Sequence, residues 1–128
     1  MAEEIRLHHI AVNCSDRKKA ERFFTKILEI PKVKTFDLSA DLSDKIFGIR
    51  RSVTVDVYDN GVSRFEVFIT DTGSTRGYDH MCVVVNNREA FLRRCKTYGV
   101  EPLVLEKNGK TLVFVKDFAG NLYEVKET

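Results

Sequence analysis

Two histidines and two glutamates in this 128-residue chain occupy matching places in a repeated pattern, and together they could hold a metal ion. Aligning His9 with His80, an offset of 80 − 9 = 71, lays His9-Ile10-Ala11-Val12 over His80-Met81-Cys82-Val83. Arg17 then matches Arg88, Arg22 matches Arg93, and Pro31 matches Pro102 without a gap. A second offset, 124 − 66 = 58, lays Phe65-Glu66-Val67 over Tyr123-Glu124-Val125. It also lays Val55-x-Val57-x-Asp59 over Val113-x-Val115-x-Asp117. Neutral imidazole and carboxylate together suit zinc, nickel, cobalt, manganese or ferrous iron. Two of each would balance a divalent charge and leave part of an octahedral shell open to water or substrate.

The elements that must position these residues follow from the repeat. The two offsets differ by 71 − 58 = 13 residues, so the first copy carries an insertion of about that length between Pro31 and Val55. Each copy reads as a strand, a helix, then three strands. Residues 5–13 are strand-like, and Ser15 or Asp16 can cap a helix whose apolar face is Ala20, Phe23, Phe24, Ile27 and Leu28, stopped by Pro31. In the second copy Asn86, with Glu89 three residues on, makes a cap signature. Phe91, Cys95 and Tyr98 give that helix an apolar face, and Gly99 is its C-terminal stop. Strands are expected over 53–58, 63–70, 102–106, 111–116 and 122–126, with turns at Asp59-Asn60-Gly61, Asn108-Gly109 and Gly120. Asn-Gly between strands is a hairpin signal because both turn residues must take positive φ. The polar stretch 71–77 joins modules of about 5–70 and 78–128 within one domain, 1–128.

Strand periodicity then decides which side chains share a face. His9, Glu66, His80 and Glu124 fall on one set of faces, while Ile10 and Val12, Phe65 and Val67, Met81 and Val83, and Tyr123 and Val125 fall on the other. His8 has the wrong parity to join them. Taken singly, a strand histidine or glutamate has ordinary explanations; the repeated placement with matching parity makes the four a predicted metal site. Cys82 shares the face of His80 and reads as a small apolar filler. Arg64 and Lys126 share the faces of Glu66 and Glu124, where either could pair an anionic substrate or serve as surface charge. Within the insertion, Leu42, Ile46, Phe47 and Ile49 are spaced for a short helix ending at Gly48, either a lid over the site or a cap on a sheet edge.

Bulk properties exclude other classes. A net charge of +2 with scattered basic pairs argues against nucleic acid. Nothing approaches the roughly 20 apolar residues of a membrane span, and the acidic start Met1-Ala2-Glu3-Glu4 does not read as a signal peptide. Three cysteines without a C-x-x-C pair point to a reducing compartment, so a cytoplasmic location is expected.

These motifs resemble the vicinal-oxygen-chelate superfamily, which includes glyoxalase I, methylmalonyl-CoA epimerase, extradiol dioxygenases and bleomycin-binding proteins. Leu7-His8-His9-Ile10-Ala11-Val12 is similar to the family's opening strand, Phe65-Glu66-Val67-Phe68 to its fourth, and Tyr78-Asp79-His80-Met81 to the start of its second module. Residues 117–124, Asp-Phe-Ala-Gly-Asn-Leu-Tyr-Glu, look like the closing D-P-x-G-N-x-x-E signature with Phe118 in place of proline. The resemblance implies an α+β fold: two βαβββ modules pairing into a curved mixed sheet around a central cleft, with helices on the outer face. It also implies a divalent metal held by His9, Glu66, His80 and Glu124, with Glu66 and Glu124 as catalytic candidates, a small-molecule substrate and a homodimer. Two carboxylates favour a lyase or isomerase of the glyoxalase or epimerase type, moving a proton next to a carbonyl of an α-oxo or thioester compound. The alternatives are a metal-free binding or resistance protein and an Fe(II) extradiol-type dioxygenase, which would use two histidines and one carboxylate.

Overall fold

In the computed structural model, residues 4–71, 77–116 and 122–128 are described. They form two compact units, one over residues 9–79 and one over 80–128 together with the start of the first strand.

The first unit runs β1 (Arg6–Cys14), α1 (Arg17–Arg22), β2 (Lys32–Leu38), α2 (Ala40–Phe47), β3 (Val53–Asp59) and β4 (Arg64–Ile69), its sheet ordered β2-β3-β4-β1. β1 pairs with β4 in parallel, and the other neighbours are antiparallel. The second unit runs β5 (His80–Val85), α3 (Arg88–Thr97), β6 (Leu103–Lys107), β7 (Lys110–Lys116) and β8 (Leu122–Glu127), ordered β5-β8-β7-β6. Here too the first strand of the module pairs in parallel with the last. Each half is thus a βαβββ module with a mixed sheet, and the α+β class is as the sequence predicts.

Local chemistry accounts for the element ends. Asp16 caps α1 by accepting from the Lys19 N–H at 3.0 Å. α3 is capped by Asn87, not by Asn86; the Asn87 side chain accepts from Ala90 N–H, three residues on. The helix therefore starts one residue later than the sequence signature suggested. Asn108 and Gly109 both take positive φ, 51° and 78°, as a tight hairpin between β6 and β7 requires.

α1 continues into a π-helical turn over Phe23–Ile27. This departs from the predicted 3.6-residue stripe, because a π turn carries an extra residue and shifts the phase of everything after it. Ala20 and Phe24 are buried, while Phe23, Ile27 and Leu28 are exposed. Phe24 stacks on Tyr58 with ring centroids 4.7 Å apart. Likewise Tyr98, expected on the apolar face of α3, is exposed at its C-cap.

α1 is anchored by charge as well as packing. Asp56, fully buried on the α1 face of β3, accepts from Arg17 Nε at 2.8 Å and Nη2 at 2.7 Å, and from Thr35 Oγ1 at 2.6 Å. Lys32 Nζ lies 3.8 Å away. Burial, the largest influence, pushes the carboxyl pKa up; the Arg17 and Thr35 hydrogen bonds and the Lys32 and Arg17 charges outweigh it and hold the group below its usual range.

α2 is the predicted insertion helix. Ser39 caps it, and it ends at Gly48 with φ 74°. It packs on the sheet face opposite α1. Leu42, Phe47 and Ile49 lie against Ala11, Val55, Val57, Phe68 and Tyr78, whereas α1 covers Val67 and Tyr58 on the other face. Ser43, fully buried, ties it down: Oγ reaches Ile49 O at 2.5 Å and the Tyr78 hydroxyl at 2.7 Å. In the second unit α3 packs on Val83, Val85, Val113, Val115 and Val125 through Phe91, Leu92 and Cys95.

Candidate functional site

In the first unit, register places Ala11 opposite Glu66 on β1 and β4, and Glu66 opposite Val57 on β4 and β3. Glu66 thus shares a face with His9 and Ala11, as parity requires. His9 Nε2 and Glu66 Oε2 are 3.4 Å apart, and the two residues are 1% and 8% exposed. In the second unit, Cys82 and Phe114 both stand opposite Glu124. His80 Nε2 lies 3.8 Å from Glu124 Oε1, with exposures of 7% and 8%. Each module by itself assembles one histidine–carboxylate pair, half of the predicted ligand set.

Buried charged groups are costly unless paired or bound to metal. The donor chemistry and spacing of each pair fit a divalent ion. Two ligand atoms each about 2.1 Å from one ion stand about 3.0–3.4 Å apart in octahedral or tetrahedral geometry. The His9–Glu66 pair matches that span, and the His80–Glu124 pair is slightly wider.

Neighbours shape both pairs. The His80 ring meets Phe114 edge-on, with centroids 6.2 Å apart, a contact that the alternation of β7 could have revealed. Cys82 is fully buried on the same face and fills space there. Lys126 Nζ sits 3.9 Å from Glu124 Oε2, so this predicted cation does flank a site carboxylate. Arg64 instead donates to Asp59 Oδ2 at 2.8 Å. The thiols of Cys14 and Cys95 are both pushed up in pKa by burial, away from the reactive thiolate.

Sequence reasoning missed the residues that hold the far end of β1. The Asn13 amide accepts from Tyr78 N–H at 3.2 Å and donates to Asp79 Oδ2 at 3.3 Å. Tyr78 stacks on Phe68 with centroids 4.8 Å apart. A cavity of about 130 Å³ opens there, lined in part by Asn13, Ile49, Arg51, Thr70 and Tyr78. The first five residues of the closing motif, 117–121, with the predicted Gly120 turn, lie outside the described residues, as does most of the predicted joint, 72–76.

Comparison with solved structures finds the same fold at low identity. A hypothetical protein from Bacillus halodurans C-125 is 20% identical, with a TM-score of 0.70 over 98% of this chain and 95% of that one. Methylmalonyl-CoA epimerase from Mycobacterium tuberculosis is 15% identical, with a TM-score of 0.69 over 94% and 86%. A 4-hydroxymandelate synthase mutant from Streptomyces coelicolor is 13% identical, with a TM-score of 0.66; 94% of this chain aligns with 48% of that longer one. Comparison with curated proteins finds no match. Among the described residues no helix is long and apolar enough to cross a membrane. A family model matches residues 6–125, and the chain therefore belongs to the Glyoxalase/Bleomycin resistance protein/Dioxygenase superfamily.

Proposed function

We propose that this protein is a metal-dependent lyase or isomerase that moves a proton next to the carbonyl of a small α-oxo or thioester substrate. One divalent ion, zinc, nickel, cobalt, manganese or iron, is held by His9 and Glu66 from the first module and His80 and Glu124 from the second. One observation carries the reading: each module buries an imidazole against a carboxylate at the repeat-equivalent position. A metal there supplies Lewis-acid polarisation of the substrate oxygen. The chain's own residues do the rest. His9 and His80 hold and orient; one of the carboxylates Glu66 and Glu124 takes the proton from the carbon beside the carbonyl, and a carboxylate returns it. Burial of all four keeps water from competing for that proton. The likeness in fold to an epimerase named for a coenzyme-A thioester places thioesters in the substrate panel beside α-oxo acids. The same reading takes the protein to be a cytoplasmic homodimer, which sedimentation tests.

The decisive experiment is metal analysis of the purified protein and of its Glu66→Gln and His80→Ala variants, with deuterium exchange next to the carbonyl across the panel. About one metal per chain, lost or weakened in the variants, together with exchange, is the expected outcome. Absence of stoichiometric metal, or metal content unchanged in both variants, rejects the site. Tight ligand binding that survives removal of all four residues would instead mark a metal-free binding protein.

A further inference from the structure

We infer that Arg64 is an anion anchor beside the proposed centre, a guanidinium placed to seat a carboxylate or phosphate oxygen of the substrate. The inference deepens the proton-transfer reading and rests on it for taking His9 and Glu66 as part of the reaction centre.

Placement comes first. Arg64 opens β4 and lies two residues before Glu66, so the two share a face. The parallel register pairs Ile10 with Phe65 and Ala11 with Glu66. One step back along both strands puts Arg64 beside His9. In the strand register the residue therefore neighbours both members of the buried pair.

Its side chain is also held in advance. Arg64 Nη1 donates to Asp59 Oδ2 at 2.8 Å, while Asp59 Oδ1 accepts the Gly61 N–H at 2.7 Å. Asn60 Oδ1 accepts from the Val62 and Ser63 N–H groups at 2.9 and 2.7 Å. Gly61, at φ 86°, permits this turn. The side chains of Arg64 and Asp59 are 23% and 27% exposed, unlike the open Arg51–Asp71 pair at 65% and 84%.

Donor capacity is left over. Arg64 Nε is buried with no acceptor among the described residues, which is a costly condition for a donor. A guanidinium offers five N–H donors in a planar fork suited to carboxylate and phosphate, so one aspartate does not exhaust it. Nor does the fold demand a cation here. The repeat-equivalent residue, 64 + 58 = 122, is Leu122, which occupies the same place before Glu124 on β8.

The test titrates pyruvate, neutral methyl pyruvate and inorganic phosphate into the nitrogen-15-labelled full chain, both zinc-loaded and chelator-treated. It follows the Arg64 Nε–H signal, assigned by its loss in Arg64→Lys, and compares affinities between wild type and variants through the backbone amide signals of β4, which all of them carry. A saturable shift with pyruvate or phosphate in both samples, and none with the ester, is expected. Binding should weaken about tenfold or more in Arg64→Gln and recover in part in Arg64→Lys, as loss of a charge-assisted bond predicts. Response to pyruvate alone identifies a carboxylate anchor, and response to phosphate alone a phosphate anchor; both support the assignment. A signal that moves with neither anion, or anion affinity equal in wild type and variant, overturns it. If thermal melting shows Arg64→Gln unfolded, Arg64→Lys carries the comparison, with about threefold weaker binding expected and unchanged affinity overturning the anchor. Zinc stoichiometry, measured alongside, separates the two readings. Anion shifts without stoichiometric zinc leave the anchor standing and reject the metal site; zinc without shifts does the reverse.

Discussion

The two modules share a strand order, a pairing pattern and a buried histidine–glutamate pair, yet they differ in what surrounds that pair. In the first, α2 packs through Leu42, Phe47 and Ile49 on the sheet face that also bears Glu66. In the second, the core under α3 lies on the opposite face, and among the described residues no helix of that module covers the face of Glu124. The first module has Arg64 where the second has Leu122, and opposite the site glutamate on the neighbouring strand the first has Val57 where the second has Phe114. The repeated framework has the histidine–glutamate pair in both copies, while α2 and Arg64 belong to the first copy alone. On the proposed function, this difference amounts to a division of labour in which both modules would hold the metal and the first would set the surroundings of the reacting carbon.

That comparison can be broken most directly at the two carboxylates. Glu66→Gln and Glu124→Gln should each lower turnover on the active member of the panel by about 10²-fold or more, the scale of general acid–base catalysis. Glu66→Gln should cost more if α2 and Arg64, which share its strand face, set the surroundings of the reacting carbon. Equal losses measured in steady-state kinetics would make the modules chemically equivalent and sink the division of labour.

The next largest contrast is structural. Arg17→Leu leaves the Asp56 carboxylate buried and short of its main partner, and should cost about 3 kcal/mol in denaturant unfolding. Its repeat counterpart Arg88 makes one long side-chain bond, 3.5 Å to Val125 O. Arg88→Leu should therefore cost less than about 1 kcal/mol.

Acid and alkali sharpen the same point. Because the folded pKa of Asp56 is depressed, its contribution is fully present above the unfolded value near pH 4 and is lost as the pH falls through the folded value. Asp56→Asn should flatten that acid limb. Tyr58, pushed up to about 12 by burial and then by Asp56 and Glu21, acts with the opposite sign. Its contribution is whole below about pH 10 and is lost as the pH rises toward 12. Thermal melts across both ranges check the two signs.

A more local effect concerns the closure itself. Ser43→Ala removes the link between α2, Ile49 and Tyr78 and should cost about 1–2 kcal/mol. Hydrogen exchange should quicken across Ala40–Phe47 and leave α3 unchanged. Uniform quickening in both helices would mean that α2 is not an independently tethered element.

Much of this framework was legible beforehand because strand parity and turn chemistry are local. Two-residue alternation is enough to put Glu66 with His9 and Glu124 with His80, and Asn108-Gly109 announces its hairpin through the backbone angles those residues tolerate. The insertion helix was readable from apolar spacing and Gly48. The phase of α1 beyond Arg22 was not, because the π turn that exposes Phe23 and Ile27 answers to how Phe24 stacks on Tyr58. Similarly, Asn86 and Asn87 carry the same capping chemistry, and only the path of the folded chain decides that Asn87 meets the Ala90 N–H.

The amino-acid sequence alone determined the duplication, through residue types that recur at offsets of 71 and 58, and the α+β class and the shared strand faces, through local periods of two or about four residues. Only the tertiary structure decided that α2 packs on the Glu66 face, that Asp56 is buried under Arg17, and that Arg64 is steadied by Asp59. Those contacts join residues 5 to 39 positions apart, and which one forms depends on the path of the intervening chain, which no local period encodes.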